Sequence, residues 1–324
     1  MVQQTNKVAT TVQTNTTPSL KSRGANLKKS IKKRWQLYIM ILPVIAYFVI
    51  FHYVPMYGVQ IAFKDFIASK GITGSEWVGF KHFIRFFDSY HFWRLMKNTL
   101  GIGVYELLVG FPVPIILALM INEVRLKFFK RTVQTVTYAP HFLSTVVLVG
   151  MIIIFLSPDS GVVNQLIQLF GGKEISFLTE PQWFKTVYVF SGVWQSMGWS
   201  SIIYLAALAG IDPQLHESAI MDGANRWQRI WNINIPGILP TIIILLILNT
   251  GSIVSVGFEK VFLMQNDLNL EASDVIATYV YRSGILDAEF SFASAVGLFS
   301  TIINFILLIT VNSIAKKVGQ TSLW

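Results

Sequence analysis

Few residues in this 324-residue chain could carry chemistry, and their spacing excludes most kinds of catalytic site. The stretch GGKEIS at 171–176 comes nearest to a phosphate-binding loop. It lacks the upstream Gly, and it places Glu174 where a Ser or Thr would reach magnesium. The chain has no Cys, its five His form no pair at helical ligand spacing, and no GxSxG motif occurs. The sequence therefore predicts no intrinsic enzyme, and no metal or cofactor bound by this chain.

The composition is typical of a protein that crosses a membrane several times. Hydrophobic residues make up 53% of the chain, charged residues 13%, and the mean hydropathy is +0.53. Soluble domains carry about 25% charged residues. Six segments hold the roughly 20 apolar residues that a spanning helix needs. They lie at about 35–62, 95–121, 133–156, 186–209, 239–263 and 292–315. The sequence therefore predicts an all-α polytopic membrane protein with six transmembrane helices, the second kinked at Pro112 and Pro114.

The distribution of charge predicts the orientation of these spans. If the first residues are cytoplasmic, most of the 26 Lys and Arg fall in inside segments and most of the 17 acids fall outside. The net charge of +9 thus reflects membrane topology and does not indicate nucleic acid as a partner. The predicted segments are a basic cytoplasmic tail (1–34), a first transmembrane helix (35–63), an extracytoplasmic loop with a short interfacial helix (64–94), a core with five helices (95–315) and a cytoplasmic C-terminus (316–324).

One cytoplasmic loop, at 210–238, has the signals of a rigid helix-turn-helix. Asp212 and Pro213 predict a helix start, because Asp caps free amides and Pro suits the first helical position. A first helix is expected from Pro213 to Met221, a turn at Asp222-Gly223 and a second helix from Ala224 to Asn234. Pro236 and Pro240 are expected to end that second helix and to redirect the chain into the fifth span.

The residues alone leave two interpretations of this loop open. Trp227, Ile230, Trp231 and Ile235 share one helical face and could lie against the other helices or anchor the loop at the membrane surface. The other side of the loop displays Glu217, Arg226 and Arg229. The loop is then either an interfacial anchor or a rigid knob that docks into a soluble partner and transmits its motion.

The stretch ESAIMDGANRWQRIWNINIPGILP, at 217–240, resembles the EAA loop of permease subunits of binding-protein-dependent ATP-binding-cassette (ABC) importers. The matching residues are Glu217, Ala219, Asp222, Gly223, Ala224, Ile233 and Pro236. Ser218 and Ile235 depart from the pattern but keep size or hydrophobicity. Further stretches, NTL at 98–100, GVVNQLIQLFG at 161–171 and YLAALAGIDPQLHESA at 204–219, resemble the carbohydrate branch related to maltose permeases. The first span and GFKHF resemble the sub-branch for oligosaccharides released from polysaccharides such as pectin or alginate.

This resemblance implies a type I ABC importer transmembrane fold in the cytoplasmic membrane and a set of partners. These are a second homologous permease subunit, two ABC ATPase subunits that bind ATP and Mg, an extracytoplasmic solute-binding protein, membrane lipid and an oligosaccharide. The implied ATPase-coupling residues are Glu217, Ser218, Ala219, Asp222, Gly223, Ala224, Arg226 and Pro236. Aromatic faces suit sugar CH surfaces, and amides or hydroxyls suit sugar OH groups. The candidate path residues inside spans are Tyr105, Glu106, Trp194, Gln195, Trp199, Tyr204, Asn249, Ser252 and Asn304.

Three other functions stay open. An ion-coupled secondary carrier would use intramembrane charges, of which Glu106 is the only clear acid. An ABC importer permease could instead serve a non-sugar solute. A membrane enzyme acting on glycans or lipids would need an outward acid pair or a metal site, and the sequence offers no such convergent set.

Overall fold

The computed structural model describes residues 33–317 and 322–323, which are helical nearly throughout. The α-helices are Trp35–Phe48, Val54–Met56, Gly71–Gly74, Lys81–Phe87, Phe92–Gly110, Pro112–Glu123, Lys127–Tyr138, Thr145–Phe155, Val162–Leu169, Pro181–Ala209, Pro213–Met221, Arg226–Arg229, Ile235–Thr250, Phe258–Met264, Leu270–Ser273, Ile276–Tyr281 and Phe290–Lys317. Val49–Tyr53, Ile230–Asn234 and Arg282–Leu286 are π-helical, and Tyr57–Phe63 and Ala139–Phe142 are 3-10 helical. The strands Lys64–Asp65 and Glu76–Trp77 pair antiparallel. The all-α class is confirmed apart from this short ladder.

Among the described residues, those up to Gly58 form one compact unit and those from Val59 onward form another. In the first unit, no side chain from Trp35 to Met56 is buried. The run Trp35–Phe63 is 29 residues long and apolar enough to cross a membrane. Most of the predicted tail 1–34, and part of the predicted C-terminal segment 316–324, lie outside the described residues.

Four helical runs of the described chain are long and apolar enough to span a membrane: Trp35–Phe63, Phe92–Glu123, Arg226–Thr250 and Phe290–Lys317. A fifth span exists if a bent pair of helices in the 127–155 region is counted as one. The helix Pro181–Ala209 has 29 residues, about 44 Å at 1.5 Å per residue. It is long enough for the predicted span at 186–209, but its Ser and Gln residues make it more polar than the four runs named above. These helices are consistent with six spans, and the number itself stays a prediction.

The second span is interrupted where the sequence predicts a kink. The helix Phe92–Gly110 stops at Phe111, and a new helix begins at Pro112. Pro112 has no N–H to donate, and its ring crowds the carbonyl four residues earlier. The two parts still form one apolar run of 32 residues.

The predicted third span, 133–156, is not one straight helix. The chain is helical over Lys127–Phe142 and again over Thr145–Phe155, and the two parts are bent by 102°. Leu143 and Ser144, between them, have extended backbone angles.

Other groups satisfy the backbone at this bend. The Ser144 hydroxyl caps the second part by accepting a hydrogen bond from the Val147 amide at 3.3 Å. The Gln195 amide donates to the Leu143 carbonyl at 2.9 Å. The bend depends on a side chain 52 positions away, which is why the local sequence pattern did not indicate it.

The predicted fifth span, 239–263, is not one continuous helix either. The helix Ile235–Thr250 ends before Gly251, and the next helix begins only at Phe258. Non-helical backbone at membrane depth is tolerated where it is packed against protein or lines a cavity. The intervening residues, 251–257, pack against protein and line a cavity.

Three apolar clusters hold the helices of the second unit together. The first joins Ile102 and Leu148 to Phe184, Val189 and Val261. The second consists of Phe86, Leu95, Val254, Ile276, Phe292 and Val296. The third contains Ala118, Tyr204, Leu208 and Ile238. Each cluster takes residues from helices that are far apart in the sequence, so burial of apolar side chains fixes the arrangement.

The loop predicted at 64–94 contains the short helix Lys81–Phe87. Phe83 and Phe86 are buried on one side of it, packed with residues of the Phe290–Lys317 helix. Ile84 and Phe87 are exposed on the other side. The helix therefore packs against protein, and its place at a membrane interface stays a prediction.

Candidate functional site

The EAA-like loop, residues 212–236, begins with the helix that the sequence predicts. Asp212 caps it, because its carboxylate accepts a hydrogen bond from the Gln214 amide at 3.0 Å. The helix runs from Pro213 to Met221 with Pro at its first position. Both predicted ends of this helix are confirmed.

The helix ends in a Schellman turn at Gly223. The Gly223 amide donates to the Ile220 carbonyl at 3.0 Å, and the Ala224 amide donates to the Ala219 carbonyl at 2.8 Å. Gly223 has φ +80°, the left-handed region in which a side chain is strained. Three residues of the matched motif, Ala219, Gly223 and Ala224, therefore build the turn itself.

The second helix begins at Arg226, two residues later than predicted. Asn225 is its N-cap, and Asn225 and Gln228 form a reciprocal capping box. The Gln228 amide donates to the Asn225 side chain at 2.9 Å, and the Asn225 amide donates to the Gln228 side chain at 2.7 Å. The Asn-x-x-Gln spacing is the sequence signal for this start.

Pro236 and Pro240 do not end this helix, which corrects the sequence prediction. The chain stays helical from Arg226 through Ile230–Asn234 to Thr250, a run of 25 residues. The Ile235 amide donates to the Ile230 carbonyl, five residues back. This π-type turn lies directly before Pro236, whose ring would otherwise meet an α-helical turn.

The exposed side of the loop has both charge and apolar area free for a partner. Among the described residues, the side chains of Glu217, Asp222 and Arg226 have no hydrogen-bond or ion-pair partner and are exposed. Met221 is 86% exposed and Trp227 is 72% exposed. The predicted apolar face therefore does not pack as a whole against the protein. Ile230 and Ile235 are half-buried, whereas Trp227 and Trp231 face outward.

The other four motif residues differ in exposure. Ser218 and Pro236 are exposed, and Ala219 and Ala224 are half-buried. The Ser218 hydroxyl donates back to the Leu215 carbonyl at 3.2 Å, so it is occupied within its own helix. Ser218 in place of the motif's first Ala therefore disturbs nothing in the loop.

A cavity of about 500 Å³ brings together five of the predicted path residues. These are Glu106, Trp199, Tyr204, Asn249 and Ser252. The wall also carries four residues that the sequence reasoning missed: Ser196, Ser200, Ser255 and Gly103. One carboxylate, one amide, one phenol, several hydroxyls and an indole can bind a polyhydroxylated ligand, and they offer no nucleophile–base pair. Contact of these residues with a substrate stays a prediction.

The non-helical residues 251–257 form part of the cavity wall and are held in place from two sides. The Asn304 carbonyl oxygen accepts from the Val254 amide at 3.0 Å, and its NH₂ donates to the Ser255 hydroxyl at 2.8 Å. A Cβ on Gly103 would collide with the backbone carbonyl of Ile253. The glycine thus lets this segment approach the Phe92–Gly110 helix. The run NTGSIVSVG at 249–257, with Gly and Ser in an apolar stretch, is the signal that could have identified the segment.

Four predicted path residues lie elsewhere. Tyr105 packs against the first apolar cluster. Trp194 lines a separate apolar cavity of about 530 Å³. Gln195 holds the bend in the third span, and Asn304 holds residues 251–257. None of the four lines the polar cavity.

One continuous helical run connects the loop to the cavity. Arg226, near the start of the run, belongs to the EAA-like loop, and Asn249, near its end, lines the cavity. The two are 23 residues apart, about 35 Å along a helix axis. The run therefore links the loop to the cavity wall. Within the described residues, no group of three or more His, Asp or Glu could hold a metal ion.

Comparison with known proteins agrees with this geometry. The family model described as binding-protein-dependent transport system inner membrane component matches residues 110–320. The polygalacturonan/rhamnogalacturonan transport system permease protein YteP of Bacillus subtilis (strain 168) is 46% identical over 298 residues, which cover 92% of this chain and 92% of that protein. Protein LplB of the same organism is 45% identical over 302 residues, 93% of this chain and 95% of that protein.

The fold has a close match among solved structures. A chain of a bacterial alginate ABC transporter, in complex with an alginate pentasaccharide-bound periplasmic protein, has a TM-score of 0.84 and 44% identity. The match covers 91% of this chain and 99% of that chain. The chain therefore belongs to the family of binding-protein-dependent transport system inner membrane components, and it is a non-catalytic permease subunit with the type I ABC importer fold.

Proposed function

We propose that this chain is one of two permease subunits of an ATP-driven importer for acidic oligosaccharides derived from polysaccharides. The observation that carries the proposal is the near full-length similarity to two proteins named for acidic polysaccharides. One is named for polygalacturonan and rhamnogalacturonan, and the other for alginate. The polar cavity, with its hydroxyls, amide and Trp199, supports a sugar as the ligand.

The partner set follows from the same proposal. A second, homologous permease subunit completes the path, and an extracytoplasmic binding protein delivers the oligosaccharide. Two ABC ATPase subunits hold ATP and Mg and drive the conformational change. Both termini of this chain are cytoplasmic, as the charge distribution predicts.

The EAA-like loop couples this chain to the ATPase. Its Schellman turn is rigid, Glu217 and Arg226 have free charges, and Met221 and Trp227 present apolar area that a docking groove can bury. Closure of the ATPase dimer moves the loop, and the 226–250 helix carries that motion to the cavity. This is a rigid-body switch between two states.

Reconstitution tests the proposal. The complete transporter should take up radiolabelled trigalacturonate in proteoliposomes only with ATP inside and the binding protein outside. Glu217→Lys should abolish uptake while membrane expression and sugar capture by the binding protein persist. Gln214→Lys, on the same helix, is the matched control and should keep most of the uptake. Unchanged uptake in Glu217→Lys would contradict the coupling role.

The two remaining alternatives give different results in the same vesicles. An ion-coupled carrier would move solute on a proton or sodium gradient when this chain is reconstituted alone. An importer for a non-sugar solute would hydrolyse ATP with its binding protein and yet take up no trigalacturonate.

A further inference from the structure

A second polar cavity, of about 840 Å³, lies at the other end of the helices that line the first one. Its wall carries Arg94, Lys97 and Lys185, with Glu271 as the acid. Tyr90 and Trp93 complete it and are 88% and 78% exposed. All of these residues fall in or next to segments that the charge distribution assigns to the extracytoplasmic side.

The two lysines have unused positive charge. Among the described residues, neither Lys97 nor Lys185 forms a hydrogen bond or an ion pair, and neither pairs with Glu271. Lys97 and Lys185 line the same cavity, so their like charges repel each other. Lys185 is half-buried, so water screens this repulsion only in part. A bound anion would relieve it.

The third cation, Arg94, is held rigidly. It donates to the carboxylate of Asp274 at 3.0 Å, and Arg282 donates to the same carboxylate at 2.7 Å. Two guanidinium groups thus share one buried acid, which leaves this pair with one surplus positive charge. Fixed Arg groups favour planar carboxylates as partners.

Gly101 provides the space for the Lys185 head group. The Lys185 Nζ lies 2.8 Å from the point that a Cβ on Gly101 would occupy. The ammonium group therefore sits directly against the Phe92–Gly110 helix, one turn from Lys97. Any larger residue at 101 would displace it.

The same two helices carry both cavities. Lys97 and Glu106 are nine residues apart on Phe92–Gly110, about 14 Å along its axis. Lys185 and Ser196 are eleven residues apart on Pro181–Ala209, about 16 Å along its axis. A chain of several sugar rings entering along these helices would meet the cations before it reaches the polar cavity.

We propose that this second cavity binds a carboxylate of the incoming acidic oligosaccharide, with Lys97 and Lys185 as the charged contacts and Trp93 as the surface for a sugar ring. The proposal rests on the proposed function, which supplies the acidic ligand. It adds a selectivity site, separate from the polar cavity, that admits charged sugars. The cations attract the carboxylate, and the exposed indole distinguishes a sugar from a small anion.

Equilibrium binding to the assembly of permease and ATPase subunits, without the binding protein, in neutral-lipid nanodiscs tests the site. The probes are trigalacturonate and its fully methyl-esterified form, which has the same length and no charge. Lys97→Met combined with Lys185→Met should weaken trigalacturonate binding about tenfold, because both charge-assisted contacts to the carboxylate are lost, and should leave ester binding unchanged. Lys173→Met, an exposed lysine outside the cavity, should change neither.

A charge-retaining variant provides a second arm. Gly101→Ala displaces the Lys185 ammonium but meets only the far end of a flexible side chain, so the fold tolerates it. It should weaken trigalacturonate binding severalfold and spare the ester.

Three results would overturn the proposal. Unchanged trigalacturonate binding in the double variant rules the site out. An equal loss for acid and ester means that the lysines support structure or docking. A loss that occurs only in discs containing phosphatidylglycerol assigns the site to a lipid headgroup.

Uptake by the unmodified transporter separates this site from the proposed function. If the wild type takes up trigalacturonate and the double variant binds it as tightly as the wild type, only the site is ruled out. If the wild type takes up no trigalacturonate, the proposed function is ruled out.

Discussion

Asp274 is fully buried and binds two arginines from different parts of the chain, Arg94 and Arg282. Its backbone carbonyl also accepts from Asn98 at 3.1 Å. This cluster joins the first turn of the Phe92–Gly110 helix to residues 271–282, which the sequence places outside the membrane. It fixes the position of Arg94 in the second cavity.

Loss of the Asp274 charge should destabilise the subunit. Asp274→Asn removes a buried acid and leaves two arginines facing each other, at a cost of about 2 kcal/mol. We expect a lower thermal unfolding temperature of the purified transporter. Asp287→Asn, an exposed acid on the same segment, should not change it. An unfolding temperature equal to that of the wild type would show that the cluster contributes nothing.

Substitutions at Gly223 should separate backbone conformation from space. Nothing lies within 4 Å of a Cβ at this position, so the cost of a side chain comes only from φ +80°. Gly223→Ala should destabilise the turn by about 1 kcal/mol, and Gly223→Asn by less, since Asn tolerates this region. Gly223→Pro also removes the bond to Ile220 and should abolish uptake. ATP-driven uptake should therefore fall in the order Gly, Asn, Ala, Pro.

Gly103→Ala should disrupt the cavity wall, because the added methyl group meets the backbone of Ile253, which cannot move without shifting residues 251–257. Overpacking of this kind costs about 2 kcal/mol. Gly297→Ala is the matched control: it lies inside a helix with nothing within 4 Å, and it should be neutral or slightly stabilising. Thermal unfolding of both variants measures the difference. Equal unfolding temperatures would mean that the close approach is not required.

Two asparagines near the cavity should respond differently. Asn304 holds residues 251–257, so Asn304→Leu leaves the Val254 amide without a partner and should lower stability by about 2 kcal/mol. The Asn249 amide donates only within its own helix, to the Leu245 carbonyl, and the residue is exposed in the cavity. Asn249→Leu should keep the unfolding temperature and reduce uptake. The reverse pattern would assign the substrate contact to Asn304.

Features that depend on local interactions follow directly from the sequence. Apolar segments long enough to span a membrane, the helix Pro213–Met221 and the turn at Gly223 all follow from composition, capping and backbone preference within a few residues. The capping box at Asn225 belongs to this group as well, because its hydrogen bonds stay within four residues.

Long-range packing sets where the long helices break and which polar side chains converge. The bend at Leu143 needs Gln195, and the break after Thr250 needs Asn304 and the missing side chain of Gly103. Conversely, Pro236 did not end its helix, because a π-type turn relieves the clash. The same long-range packing placed Asn249 in the cavity and kept Asn304 out of it. A backbone group can leave a helix only when a distant partner satisfies it, and periodicity in the sequence does not identify that partner.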